Sequence, residues 1–177
     1  TGETTTLVSK PMDRRVTEGK WLPDGQTVVF VSLATAKGEA VVVRRVQSGE
    51  ERVIYDGTPA GLEPGGLAVS PDGSTVAFRT FDNKSKASAI MVANLADGQV
   101  RSVATQRASC TTFMLAPTTL MGCITFSPDG RYLLFPNFVD PTDSRGGREL
   151  WRVPVAGGQP ERLGLTMDAL GVPTVSP

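Results

Sequence analysis

The chain has no histidine, only two cysteines and no excess of charge of either sign. Without histidine, a Ser-His-Asp triad, a histidine general base and a His-ligated zinc site are excluded within this sequence. The 18 basic and 18 acidic residues balance, which argues against nucleic-acid binding, because such proteins carry a basic excess or stripe. The longest apolar runs, such as residues 28–31 and 89–93, are far too short to cross a bilayer.

Proline and glycine are abundant instead, with 13 and 19 copies, and three of the prolines begin a repeated Pro-Asp-Gly triplet. Each triplet precedes a short polar stretch and then an apolar burst. Proline suits the first corner of a type I turn, aspartate accepts the next position, and glycine supplies the left-handed residue of a bulged hairpin. We therefore interpret all three aspartates as turn formers rather than ligands. The triplets are Pro23-Asp24-Gly25, Pro71-Asp72-Gly73 and Pro128-Asp129-Gly130.

The residues around each triplet predict four short antiparallel strands in every unit, with first strands at 19–22, 67–69 and 124–126, and no window shows a helical stripe. Four antiparallel strands in about 50 residues are typical of a propeller blade. The predicted fold class is all-β, a β-propeller segment of three full blades with a flanking strand at each end. The predicted segments are a last strand in 1–9, blades at 16–57, 66–105 and 124–166, an inserted crossing loop at 106–123, and a first strand at 171–177.

The Ser-Pro-Asp-Gly turns, the stretch Leu150-Trp151-Arg152-Val153 and the following run from Gly157 to Leu163 resemble TolB-like propellers, the WD40-like family of Pro-Asp-Gly repeats. The resemblance covers nearly the whole chain. It implies a recognition role in a ring of six or seven blades, so we expect this chain to be part of a longer one. Members of the group include a periplasmic protein of the Tol system, propellers in front of serine peptidase domains, and sensor or regulator modules.

Strand alternation divides the predicted connections between two faces of the ring. The turns between first and second strands, and between third and fourth strands, are short, whereas the other loops and the crossings between blades are longer and more polar. Binding groups tend to lie on loops held by a rigid scaffold, so we expect a protein or peptide partner on the long-loop face. The candidate binding residues are Asp82, Asn83, Lys84, Asp140, Asp143, Arg145 and Arg148.

Two other interpretations of single residues are weaker. Asp140, Asp143 and Glu149 could suggest a calcium loop, but their spacing fits no EF-hand and arginines intervene, so a solvated mixed-charge loop is favoured. Trp21 and Trp151 lie at strand positions and are predicted to pack between blades. They would line a ligand site only where the structure exposes them.

The two cysteines, Cys110 and Cys123, bracket the part of the second unit that exceeds its neighbours in length. A disulfide between them would close a short loop and stabilise the fold by about 3 kcal/mol. It requires an oxidising compartment, and we favour it over two free, buried thiols. It agrees with a periplasmic or other extracytoplasmic location, although the cytoplasm stays open.

No catalytic constellation, cofactor motif or metal site is predicted. The chain lacks the Gly-x-Ser-x-Gly motif of serine hydrolases, and the missing histidines disfavour a lyase or glycosidase. The predicted function is therefore a non-catalytic recognition module, and the alternative is the accessory, gating propeller of a larger enzyme such as a serine peptidase. We expect neither nucleic-acid binding nor membrane insertion. The outer blades should contact the remaining blades of the parent chain, or associate with other copies when isolated.

Overall fold

The computed structural model describes residues 15–34, 38–82, 84–85, 87–106, 124–138 and 148–167. These residues form twelve β-strands and a single 3₁₀ turn at Thr58–Ala60. None of them belongs to a helix long and apolar enough to span a membrane. The predicted flanking strands in 1–9 and 171–177 lie outside these ranges, as do residues 107–123 of the predicted crossing loop.

The strands build three antiparallel sheets of four, and within each sheet the strands lie side by side in chain order. The first blade contains β1 (Arg15–Trp21), β2 (Thr27–Ala34), β3 (Gly38–Arg45) and β4 (Glu51–Asp56). The second contains β5 (Leu62–Val69), β6 (Thr75–Asp82), β7 (Ala87–Asn94) and β8 (Val100–Gln106). The third contains β9 (Thr125–Phe126), β10 (Tyr132–Phe138), β11 (Arg148–Pro154) and β12 (Glu161–Met167).

The blades are arranged radially, with their first strands innermost. Strand β1 contacts β5, and β5 contacts β9, so the three first strands converge on one side of the assembly. One apolar cluster joins the first and second blades, and another joins the second and third. The prediction of an all-β propeller segment with three four-stranded blades is confirmed.

The second blade shows how the alternation of a strand feeds both clusters. Val76 and Phe78 on β6 point toward the first blade, whereas Ala77 between them points toward the third, and all three are fully buried. Phe78 also packs on Tyr55 of the first blade, with ring centroids 4.9 Å apart. Because successive side chains of a strand point to opposite faces, a run of apolar residues such as this one requires a neighbour on each side.

The first strands of two blades begin earlier than the sequence predicts, at Arg15 and at Leu62. In the second blade the additional residues include Pro64, Gly65 and Gly66, which are usually turn formers. Strand β5 accommodates them with a bulge between Gly65 and Ala68, where Gly66 has a φ of 65°. Glycine adopts such a left-handed conformation readily, so the strand continues through the irregularity.

The Pro-Asp-Gly corners form tight turns that also touch one another between blades. Asp24 Oδ1 accepts the backbone N–H groups of Gln26 and Thr27 at 2.8 and 2.9 Å. Hydrogen bonding to the Thr27 hydroxyl and these amides holds the pKa of Asp24 below its usual value. Gly73 has a φ of +72°, and a β-carbon there would lie 3.0 Å from Cδ of Pro23 in the preceding corner.

We expect Gly73→Ala to destabilise the protein more than Gly25→Ala does. Both changes place alanine at a positive φ, which costs about 1 kcal/mol or somewhat more. Only the alanine at position 73 would also press on a proline ring, because a β-carbon at Gly25 would meet nothing within 4 Å. Overpacking of this kind should add about 1 kcal/mol. Urea unfolding of the two variants measures the difference, and equal losses would show that the corners do not support each other.

Candidate binding surface

The described part of the long-loop face consists of the crossing between the first two blades and the loop between β6 and β7. The crossing is hydrogen-bonded to the first blade, because the Gly57 N–H donates to the Glu39 carbonyl at 2.9 Å. A β-carbon at Gly57 would lie only 2.3 Å from the Leu62 carbonyl oxygen. The following Thr58 N–H donates to Asp56 Oδ1 at 2.9 Å, so this crossing is held by its own backbone and side chains.

The loop between β6 and β7 is organised around Asp82. Its carboxylate accepts the Lys84 N–H at 2.8 Å and the Ser85 hydroxyl at 2.6 Å. These bonds, the one from Ser85 first, hold the pKa of Asp82 below its usual value. Lys84 and Ser85 themselves are exposed. Asp82 therefore shapes the loop, and Lys84 is the charged residue that this loop exposes.

The structure describes only part of the remaining candidate residues. Asn83, Asp140, Asp143, Arg145, Cys110 and Cys123 lie outside the described residues. Arg148 begins β11 opposite Phe138. Glu149, considered above for calcium, is buried on β11 with its carboxylate 3.7 Å from Nε of Arg162. No group of three or more His, Cys, Asp or Glu within the described ranges could hold a metal ion.

The other two Pro-Asp-Gly aspartates have the same kind of partner as Asp24. Asp72 accepts the Ser70 hydroxyl at 2.6 Å, and Asp129 accepts the Ser127 hydroxyl at 2.5 Å. These serine hydroxyls are the largest cause of the lowered pKa of each aspartate. Their carboxylates are thus occupied within the corners on the short-turn face.

Sequence reasoning missed Glu18, a buried carboxylate on the innermost strand of the first blade. Its Oε2 accepts the Gly66 N–H of the second blade at 2.8 Å, at the bulge of β5. Burial raises the pKa of Glu18, while the amides of Leu67 and Gly66 and the charge of Lys20 act in the opposite direction. Its Oε1 has no hydrogen-bond partner among the described residues. No local motif marks this position, because its partner lies 48 residues away.

Two arginines at equivalent positions of β4 and β8 link each blade to the next. Arg52 donates from its guanidinium to the Leu95 carbonyl of the second blade, and Arg101 donates to the Val155 carbonyl of the third. We call these contacts the arginine latches. Each arginine follows the short turn before the fourth strand by the same number of residues, which is the sequence signal that alignment of the units would have provided.

The third blade departs from this pattern. In the first two blades the latch arginine lies opposite a valine, Val43 or Val92. In the third blade Glu161 occupies the latch position, opposite Arg152, and the two form an ion pair at 2.7 Å. The guanidinium of Arg152 also lies 4.5 Å from the centre of the Tyr132 ring.

The two tryptophans have different environments. Trp151 is partly buried and packs against the cluster between the second and third blades, as predicted, with the Arg162 guanidinium 5.1 Å from its ring centre. Trp21 is 55% exposed. It lies on the side of the first blade that faces away from the second. No described residue of another blade packs against it there, although packing between two blades was predicted.

Comparison with solved structures identifies proteins of similar fold. No protein-family model and no curated protein matches the sequence. Among solved structures, TolB from Acinetobacter baumannii superposes with a TM-score of 0.64 and 22% identity, over 90% of this chain and 34% of that one. The β-propeller domain of the Trilobed protease from Pyrococcus furiosus gives 0.60 and 14%, over 87% and 44%. Acylaminoacyl peptidase from Pyrococcus horikoshii gives 0.60 and 15%, over 84% and 25%.

The chain therefore has the fold of a TolB-like β-propeller, as the sequence predicted. It spans less than half the length of each of these solved structures. The similarity extends across proteins of different activity, because the superposed structures include TolB and two peptidases or their propeller domains. These proteins share a scaffold of radially arranged sheets.

We expect Glu18→Gln to become progressively more stabilising, relative to the parent protein, over the pH range upward from about 4.5. The folded state binds the Glu18 proton more tightly than the unfolded state, because the pKa is raised above 4.5 on folding. Parent stability from this group is therefore lost as the pH rises through that range. Glutamine cannot ionise, and its amide oxygen can still accept the Gly66 N–H. Urea unfolding at several pH values measures the difference, and a pH-independent difference would contradict the assignment.

Proposed function

We propose that this chain is the recognition part of a propeller protein, and that it binds a protein or peptide on its long-loop face without catalysing a reaction. The contrast between the two faces carries the proposal. On the short-turn face the three aspartates are engaged in their own corners. On the long-loop face Lys84 is exposed on a loop that Asp82 holds in one conformation. A preformed charged loop on a rigid sheet costs little ordering entropy when a partner binds.

The candidates outside the described residues extend the same surface in this proposal. Asp140, Asp143 and Arg145 belong to the connection between β10 and β11, and Asn83 belongs to the connection between β6 and β7. Both connections join the second strand of a blade to the third, so we infer from strand alternation that they lie on the face that carries Lys84. Their mixed charges favour a polar partner such as a protein surface or peptide over an apolar ligand.

We expect Lys84→Glu to weaken binding of peptides selected on this protein by about tenfold, since a charged contact in an interface is replaced by its opposite. The probe is a random phage-displayed peptide library, selected on the immobilised chain. Arg45→Glu is the matched control, because it makes the same change of charge on an exposed side chain beside a short turn. Binding is measured by titrating the synthesised peptides. Peptides that respond only to Arg45→Glu, or to neither variant, would overturn the assignment of the long-loop face.

The proposal places the protein in the periplasm or another extracytoplasmic compartment, and it includes a Cys110–Cys123 disulfide. We expect both thiols of the purified, non-reduced protein to resist alkylation under denaturing conditions. Reduction should then lower the stability by about 3 kcal/mol. Mass spectrometry of alkylated peptides measures the pairing. Labelling of both cysteines without reductant would show free thiols and would remove this support for an oxidising compartment.

A second candidate function is an accessory propeller that controls access to a peptidase domain on the same polypeptide. The observation in its favour is the similarity to the propeller domain of the Trilobed protease and to acylaminoacyl peptidase, each with a TM-score of 0.60. The two candidates differ in what the full-length polypeptide contains. A hydrolase domain with a Gly-x-Ser-x-Gly motif would support gating, and its absence would support the recognition module.

A further inference from the structure

Arg79 is a buried cation at the junction between the second and third blades. It lies on β6 opposite Ile90 of β7, and Ile90 belongs to the apolar cluster that these two blades share. Directly opposite residues of an antiparallel pair lie on the same face of the sheet, so Arg79 points into this junction. It is only 6% exposed. Arginine is rarely buried to this extent without a counter-charge.

The hydrogen bonding of Arg79 among the described residues involves a neutral group. A terminal nitrogen of its guanidinium donates to the Ser88 hydroxyl, and Ser88 is itself almost fully buried. The Ser88 hydroxyl in turn donates to the Thr80 carbonyl at 3.2 Å. Nε of Arg79 has no partner within the described ranges. The contact with Ser88 therefore fixes the guanidinium in position but brings no negative charge to it.

No carboxylate of the described residues pairs with Arg79. Glu149 alternates with Trp151 on β11, so it lies on the wall of the third blade that faces the second. Its ion pair, however, is with Arg162 at 3.7 Å. Burial is the cause that lowers the pKa of Arg79, to about 10, so the guanidinium stays charged at neutral pH. An uncompensated charge in a protein interior is strongly destabilising.

Trp151 supplies a second unpartnered donor in the same junction. It packs against the shared cluster from the third blade, and its buried indole N–H has no partner among the described residues. The indole nitrogen and Nε of Arg79 can only donate. In the described part of this junction no buried side-chain acceptor is left without a partner. The junction therefore has an excess of donors as well as a positive charge, and an anion satisfies both where water would satisfy only the donors.

We propose that the junction between the second and third blades binds a small monovalent anion, such as chloride or formate, at the guanidinium of Arg79. The free Nε–H group provides a hydrogen bond, and the charge provides the attraction. Burial favours a small ion over a side chain of a bound partner, and it strengthens the attraction because the local dielectric constant is low. This site is independent of any partner on the long-loop face.

The stability of the protein at different chloride concentrations tests the site. Raising chloride from about 1 to about 100 mM, with gluconate keeping the ionic strength constant, should raise the midpoint of thermal unfolding by about 3 to 5 °C, because an anion that binds only the folded state stabilises it. Arg79→Met removes the charge from a side chain of similar length and should abolish this shift. Arg131→Met removes an exposed arginine beside a short turn, and as the matched control it should keep the shift of the parent protein.

Gluconate without chloride gives a second comparison. There we expect Arg79→Met to unfold at the same temperature as the parent protein or at a higher one, because the variant buries no uncompensated charge. A parent midpoint that does not respond to chloride, or an equal response of Arg79→Met, would overturn the proposal. If Arg79→Met were less stable than the parent by the same amount in both salts, the counter-charge would belong to the polypeptide, which would also overturn it.

Bromide locates the site without a variant. It carries the same charge as chloride and scatters X-rays anomalously, so crystals grown in bromide should show an anomalous peak within hydrogen-bonding distance of the Arg79 guanidinium. The absence of a peak there would overturn the proposal even where Arg79→Met fails to fold. A peak in a protein whose unfolding midpoint does not depend on chloride would show an adventitious ion only, and the proposal would again be wrong.

Discussion

Each blade is a four-stranded sheet with apolar residues on both faces, and this constraint governs the rest of the molecule. In the second blade, Phe78 on one face and Ile90 on the other are both completely buried, each in a different inter-blade cluster. A sheet that buries both faces needs a neighbour on each side. Because the first strands converge, the neighbours are arranged around an axis. The corner contact between Gly73 and Pro23 follows from the same convergence.

The fold could be predicted because its signals are local. A Pro-Asp-Gly corner and the apolar burst after it lie within about ten residues of each other, and turn chemistry alone sets their geometry. The early starts of β1 and β5 could not be predicted in this way. Pro64, Gly65 and Gly66 favour a turn by themselves. In the fold, Pro64 and Gly65 instead pair with β6, and Glu18 of another blade accepts the Gly66 N–H. Tertiary contact overrides local preference at that position.

The candidate surface was predictable to the extent that loop length and strand alternation define a face. Lys84 follows from that argument, and the structure adds that Asp82 is committed to its own loop. Glu18, Arg52 and Arg101 could not be found from local pattern, since each acts on a backbone group 43 to 54 residues away. A single charged residue in a strand is ordinarily interpreted as solvent-facing. Only alignment of the repeated units shows that Arg52 and Arg101 occupy equivalent positions and make the same kind of contact.

The departures from the repeat are as informative as the repeat itself. An arginine latch joins two blades through one side chain and one backbone carbonyl. It therefore stabilises the contact between the blades without requiring a particular side chain on the neighbouring blade. In the third blade the same position carries Glu161, and its partner is Arg152 of its own sheet. That ion pair is partly exposed, so its contribution to stability is small, of order 1 kcal/mol at most. The third blade therefore satisfies its latch position internally.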